Sequence, residues 1–421
     1  MFFGLLGKKP ACPYCYTRVS SSGLFYRCLG WVNIAGKDKC KKTEDPTRVR
    51  VLSSSEAVLP SFKPDVWRSL LGLSQPCPHC QNLTKALACP NCHSALPADF
   101  TPDSPLFGIV GVRGSGKTVF LAVLSKELVT TIPNRTGATI SEVAGNNNAL
   151  LKRLANTQAE MERGGSLPIP TASWSKEETV PAVFNFRLSK ANLLSKALSR
   201  SGHLLRMRRK FRFKDFRSTV AATFSFYDTA GEDLTSNDSA RDLHYLAATD
   251  GLILLLDPFG FPKNREVART RGVDETSLRD EPRVVLGALK EVLFEAERLG
   301  QKSRIRKPIA VVLGKIDAFF ERVNPDDPMR SPSPRVPFFD ERESLNLHER
   351  VASLISEWGG EDVLAMLDAY FETYRFFVAS SLGIEPDYRA GRVSSQGIHP
   401  HRVAEPFLWL LARRGLIETK V

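Results

Sequence analysis

No apolar run in the 421 residues approaches the roughly 20 needed to cross a bilayer, which excludes a helical membrane span. The opening MFFGLL is only six residues, runs into Gly7, Lys8 and Lys9, and has no small-residue cleavage site, so it does not read as a secretory leader. A cytoplasmic protein is therefore expected. Cysteine is absent after residue 92, which confines sulfur ligation to the first quarter of the chain. Neither hydrophobic content (42%) nor charged content (25%) departs from ordinary globular proteins, and the length suggests two to three domains.

The eight cysteines are Cys12, Cys15, Cys28, Cys40, Cys77, Cys80, Cys89 and Cys92. Three pairs have the C-x-x-C spacing that lets two thiolates reach one tetrahedral ion. Sequence order predicts two zinc ions, the first held by Cys12, Cys15, Cys28 and Cys40, the second by Cys77, Cys80, Cys89 and Cys92. Disulfides are the competing reading, disfavoured in a cytoplasmic setting. His79 and His93 are alternative ligands, but four cysteines already complete each site. The formal charge of +12 suggests nucleic acid, yet residues 1–100 hold 13 Lys plus Arg against 6 Asp plus Glu. Two zinc tetrathiolates, each minus two, lower that surplus of seven to about +3. The predicted modules are 1–60 and 61–97, zinc-ribbon-like segments in which metal replaces a core too small to stand alone. They serve as scaffolding or dock a protein or nucleic acid.

After a proline-rich linker at 96–105, the pattern becomes that of an α/β unit over 98–421, with insertions around 130–220 and 322–340. LFGIVG, GLILLLD, PIAVVLG and YRFFVAS are apolar runs suited to parallel strands buried on both faces, and AVFNFRL and VAATFSFYD alternate. KTVFLAVLSKELV reads as an amphipathic helix. Further helices are expected at about 279–299, 340–373 with a break at Gly359 and Gly360, and 402–414. NPDDPMRSPSPRVP, with five prolines, reads as a mobile excursion.

Between the first strand and helix stands GVRGSGKT, residues 111–118. This G-x-x-x-x-G-K-T loop points backbone N–H groups of Gly111, Gly114, Ser115 and Gly116 at phosphates, with Lys117 on the β- and γ-phosphate oxygens and Thr118 on Mg2+. Three later segments follow predicted strands: DTAG (228–231), GKID (314–317) and ASS (379–381).

In this order the segments resemble Ras-like GTPases of the translation-factor-related class, over roughly residues 105–415. The resemblance implies GTP/GDP as ligand, with Asp228 reaching Mg2+ through water and the Gly231 N–H sensing the γ-phosphate. It implies that Lys315 packs along the base, Asp317 accepts guanine N–H groups, and the loop of Ser380 and Ser381 offers an N–H to O6. Gly314 departs from the family, removing the side chain that ties the base-reading loop to the phosphate loop, and ATP is kept as the alternative. Glu232 stands where many relatives have a water-positioning glutamine, so hydrolysis is expected to be slow or partner-activated. Arg113 lies where a charge beside the γ-phosphate could assist catalysis or obstruct a partner's finger, the alternative being a solvent-facing side chain. Thr171 is preferred over Thr179 as the first-switch magnesium ligand.

RMRRKFRFKDFR, from Arg206 to Arg217, reads as a basic-faced edge strand, or as a surface for an acidic partner, nucleic acid or membrane. Zinc modules with the GLILLLDP strand also look like the bacterial double-GTPase group, implying a conflict or signalling system and a second GTPase as partner. The expected protein is a magnesium-dependent GTPase switch. Its rivals are a zinc-ribbon adaptor that binds nucleotide but hydrolyses little, and a nucleic-acid-binding regulator.

Overall fold

The computed structural model describes residues 10–20, 23–30, 39–97, 100, 105–111, 114–142, 149–168, 181–190, 218–226, 245–274, 278, 281–300 and 302–421. Cys-Pro-x-Cys occurs three times, and each copy makes the same turn. In each, the N–H of the first cysteine bonds the carbonyl five residues on, and the residue after the second cysteine returns its N–H to the first: Cys12 with Thr17 and Tyr16, Cys77 with Asn82 and Gln81, Cys89 with Ser94 and His93. Tyr16, Gln81 and His93 are all left-handed, at φ of 60°, 60° and 53°. That conformation costs a non-glycine residue about 1–2 kcal/mol, so its threefold recurrence marks a turn imposed by sulfur geometry.

Around these knuckles lie β1 (Phe25–Arg27), α1 (Pro46–Leu52), β2 (Ser61–Phe62), α2 (Val66–Leu70), β3 (Gln75–Pro76), β4 (Leu83–Thr84) and β5 (Leu87–Ala88). Strands β2, β1 and β5 form an antiparallel sheet, and β3 and β4 a hairpin. Asp45 caps α1, accepting from the N–H groups of Thr47 and Arg48. Helix α2 is inside out. Val66, Trp67 and Leu70 face solvent, with Trp67 76% exposed, while Arg68 is half-buried and donates to the Ser74 carbonyl.

The larger unit contains β6 (Phe107–Gly111), α3 (Lys117–Val129), α4 (Thr131–Thr136), β7 (Thr139–Glu142), α5 (Ala149–Glu162), β8 (Ala182–Lys190) and β9 (Ser218–Phe226). It continues with β10 (Gly251–Leu256), α6 (Arg265–Arg271), α7 (Pro282–Glu297), β11 (Ile309–Leu313), β12 (Phe339–Asp340), α8 (Glu341–Glu357), α9 (Glu361–Tyr370), β13 (Tyr374–Val378), α10 (Glu405–Arg413) and β14 (Thr419–Lys420). Strands β13, β11, β10 and β6, in that order, are all parallel. Their apolar runs are explained by burial on both faces: Leu252, Leu254 and Leu256 enter one core with α7 and α8, and Ile253 and Leu255 enter the other with α3 and α10. The antiparallel set β7, β8 and β9 packs beside β6, where the Phe107 and Phe224 rings stack at 5.5 Å. This is the expected α/β, P-loop-type fold with a mostly parallel sheet, preceded by two small four-cysteine modules.

Two expectations are corrected. Helix α3 is not amphipathic: Phe120, Leu121, Ala122, Val123 and Leu124 are all buried, because α5 covers the side turned away from the sheet. Residues 324–337 are not a mobile excursion, because Arg135, Arg350 and Arg402 pin them, Arg350 through Asp327 at 2.6 Å. Arg135 donates to the Val336 carbonyl (2.8 Å) and Ser333 hydroxyl (3.0 Å), and Arg402 to the Ser331 carbonyl (3.0 Å).

Candidate functional site

Strand β6 delivers the phosphate loop at its carboxyl end. A Cβ on Gly111 would come within 2.7 Å of Ser115 Oγ and 3.1 Å of Leu255 Cβ, so the turn closes only without a side chain there. Gly114 (φ 79°) and Gly116 (φ 84°) occupy the left-handed region. No side chain among the described residues caps α3, which suits its N-terminus to an anion. Lys117 is 7% exposed, Thr118 follows it, and Ser115 Oγ is buried without a hydrogen-bond partner among the described residues.

Parallel pairing brings the end of β11 next to this loop. The Gly314 N–H bonds the Leu256 carbonyl at 3.0 Å, and Lys315 turns left-handed (φ 49°), which swings Asp317 inward. Asp317 Oδ1 is buried without a hydrogen-bond partner among the described residues, while the Ser380 hydroxyl bonds the carboxylate. Burial pushes the Asp317 carboxyl above its ordinary range, against the lowering effect of that hydrogen bond. Ser380 is fully buried, and its own N–H is spent on the His401 carbonyl at 3.0 Å. In the 379–381 loop this leaves the Ser381 N–H, half-buried, as the donor without a partner among the described residues. The expected Lys315 is held: Nζ lies 2.6 Å from Asp257 Oδ2, and a Cβ on Gly116 would meet its Cε at 3.8 Å. Among the described residues, an unpartnered carboxylate oxygen, an unpartnered N–H and an uncapped helix end are the groups that suit a ligand with N–H donors, an acceptor and an anionic tail.

The cysteines gather in two sets, but not in sequence order. Cys12, Cys15, Cys89 and Cys92 form one, and Cys28, Cys40, Cys77 and Cys80 the other. The sequential grouping is thereby corrected. Antiparallel pairing of β1 with β5 brings the two halves of the region together, so the outermost pairs meet and enclose the inner ones. Sulfur separations of 3.5 to 3.8 Å fit the edge of a tetrahedron with metal–sulfur bonds near 2.3 Å, about 3.8 Å. They are far too long for disulfides, and all eight cysteines are free. Amide groups of Tyr14, Gly30 and Asn91 point at the sulfurs of Cys12, Cys28 and Cys89, as thiolates require. His93 lies outside the clusters, with Nδ1 2.8 Å from Asp45.

Arg113, Thr171, Thr179, Asp228, Gly231, Glu232 and the basic segment 206–217 lie outside the described residues. Strand β9 ends at Phe226, two residues before Asp228. The first knuckle contacts both sides of 227–244: Ser225 Oγ donates to the Pro13 carbonyl at 2.7 Å, and the Tyr16 and Tyr245 rings lie 4.9 Å apart. Sequence reasoning missed these contacts, the Asp257–Lys315 pair, and the half-buried Tyr388 and Glu385. Tyr388 packs edge-on to Phe259 at 5.7 Å, and Arg271 joins Glu385 to the Ala318 carbonyl beside Asp317. Only Asp257, at the end of an apolar strand, carried any sequence signal.

No family model matches the chain. A curated relative in Mycolicibacterium smegmatis, "Putative ESX-1 scaffolding and assembly protein SaeC", is 24% identical over 377 residues, 83% of this chain and 87% of the relative. Similar solved structures include the Arl6 small GTPase of Trypanosoma brucei (TM-score 0.28, 11% identity, 75% of this chain and 99% of that one). The Ski7 GTPase-like domain of S. cerevisiae bound to GTP gives 0.29 and 12%, over 74% and 51% of the chains. At such scores, fold and site rest on the geometry above. No helix among the described residues is long and apolar enough to cross a membrane.

Proposed function

We propose that the chain is a guanine-nucleotide-binding switch that uses its N-terminal metal modules to engage protein partners. The observation that carries this reading is Asp317 Oδ1, buried and without a hydrogen-bond partner among the described residues. A carboxylate so placed suits the N1 and N2 donors of guanine, and the Ser381 N–H suits O6. Lys117 and the α3 N-terminus would take the phosphates, with Thr118 and Asp228 serving Mg2+. Glu232, Arg113 and Thr171 belong to the hydrolysis part of the proposal, in which GTP is cleaved slowly or with a partner's help. The two four-cysteine clusters would hold zinc. A conflict-system setting with a second GTPase belongs here too, carried by sequence resemblance alone.

The relative's description as a scaffolding and assembly protein supports a second reading, in which nucleotide binding organises an assembly without much turnover. Mass spectrometry of nucleotide retained by the purified protein, with GTP and ATP competition, tests the base. Asp317→Asn should weaken GTP about 100-fold, the worth of two charge-assisted hydrogen bonds, and improve binding of xanthosine triphosphate, whose 2-oxo group suits an amide donor. Preferential ATP retention by the parent would overturn the guanine reading. Multiple-turnover phosphate release no greater than that of Lys117→Ala, partners present, would leave the scaffold reading.

A further inference from the structure

Position 314 faces the phosphate loop but brings nothing to it. A Cβ there would sit 3.4 Å from the Ser115 carbonyl and 3.7 Å from that of Leu256, ordinary contact distances, so a side chain would fit where none is present. The base-reading loop is fastened instead one residue later. Asp257 closes β10, is 3% exposed, and has both oxygens engaged: Oδ1 accepts the Phe259 N–H at 2.9 Å and Oδ2 the Lys315 ammonium at 2.6 Å. Lys315 reaches it across Gly116, with its ammonium 5.9 Å from the centre of the buried Phe259 ring. Phe259 is wedged by Phe319 at 5.2 Å, two residues beyond Asp317. One buried carboxylate thus joins the end of β10, the loop after β11 and, through the lysine stem, the phosphate loop.

We infer that Asp257 is a positioning residue for base selection, holding Lys315 and thereby Asp317 in register, and that this ion pair replaces the tie Gly314 cannot supply. This rests on the guanine reading of Asp317. Asp257 touches no nucleotide in this scheme, because neither of its oxygens is free. Its loss should loosen the base-reading loop while leaving the glycine turn and Lys117 intact. Base-dependent affinity therefore falls, and base-independent phosphate affinity persists.

The test compares GDP and ADP binding by fluorescent-nucleotide titration of the full chain. Asp257→Ala should lower the guanine-over-adenine ratio at least about tenfold, the scale of one charge-assisted hydrogen bond, with ADP affinity little changed. Adding Gly314→Asn, which places an amide donor toward the Ser115 carbonyl, should restore much of the ratio. If Asp257→Ala unfolds the chain, the near-isosteric pair Asp257→Asn with Lys315→Met removes the ion pair without leaving a buried charge, and should show the same loss. An unchanged ratio, equal loss of both nucleotides, or a loss that Gly314→Asn does not relieve would overturn the inference. A parent protein without guanine preference would instead defeat the reading of Asp317, so the two failures are distinct.

Discussion

The Glu127 carboxyl, near the end of α3, is pushed up from the usual carboxylate range to about 7, first by burial and then by the charge of Glu405. The Ala404 N–H and Arg135 act in the opposite direction. Glu405 is raised by burial too, against Arg402, with Glu343 adding to the rise. Because the folded value exceeds the unfolded one, the folded state binds the proton more tightly, so stability is full below about pH 4.5 and declines as pH rises through 7. Between pH 5.5 and 8, denaturant unfolding should show a loss on the order of 1–3 kcal/mol, which Glu127→Gln should largely abolish. A flat profile in the parent would contradict this. Residues of this kind were illegible in the sequence, since Glu127 and Glu405 meet only through tertiary packing. Gly111, Gly114, Gly116 and Lys117 were legible because one short turn sets all their roles. Asp257 and Lys315, 58 residues apart, become neighbours only when β10 and β11 pair.

At the level of elements, the parallel strands were readable because burial on both faces demands continuous apolar runs, and 251–256 and 309–313 have few other uses. Two features misled. The burial of α3 depends on α5, which its own sequence does not announce, and five prolines suggested freedom in a segment that arginines far along the chain hold down. Arg402 is one anchor: it is buried, and its guanidinium also serves Glu343 and Glu405. Arg402→Ala would leave Glu405 buried without its cation, costing roughly 3–5 kcal/mol. Limited proteolysis should then cut within 324–337 of the variant under conditions where the parent resists. Equal resistance would mean that the remaining ties, Arg135 on Val336 and Ser333 and Arg350 on Asp327, secure the segment without Arg402.

On the scale of the whole molecule, cysteine spacing made the existence of four-cysteine clusters legible but not their membership, because local spacing pairs neighbours and cannot say which pairs converge. Double variants separate the arrangements by elemental analysis, with two zinc ions expected in the parent. Cys12→Ser with Cys89→Ser should cost one zinc, and Cys12→Ser with Cys28→Ser should cost both. Sequential grouping requires the reverse. The nested arrangement also has a thermodynamic consequence. Cys12 and Cys92 are 80 residues apart and Cys28 and Cys80 are 52, so the outer closure encloses the inner. With the inner cluster formed, the outer pair is separated only by arms of 16 and 12 residues. Loop-closure entropy then favours the second closure by about 1 kcal/mol, whichever forms first, or roughly fivefold in affinity. The two metals would load cooperatively, each binding more tightly for the other's presence, although no ligand is shared between them.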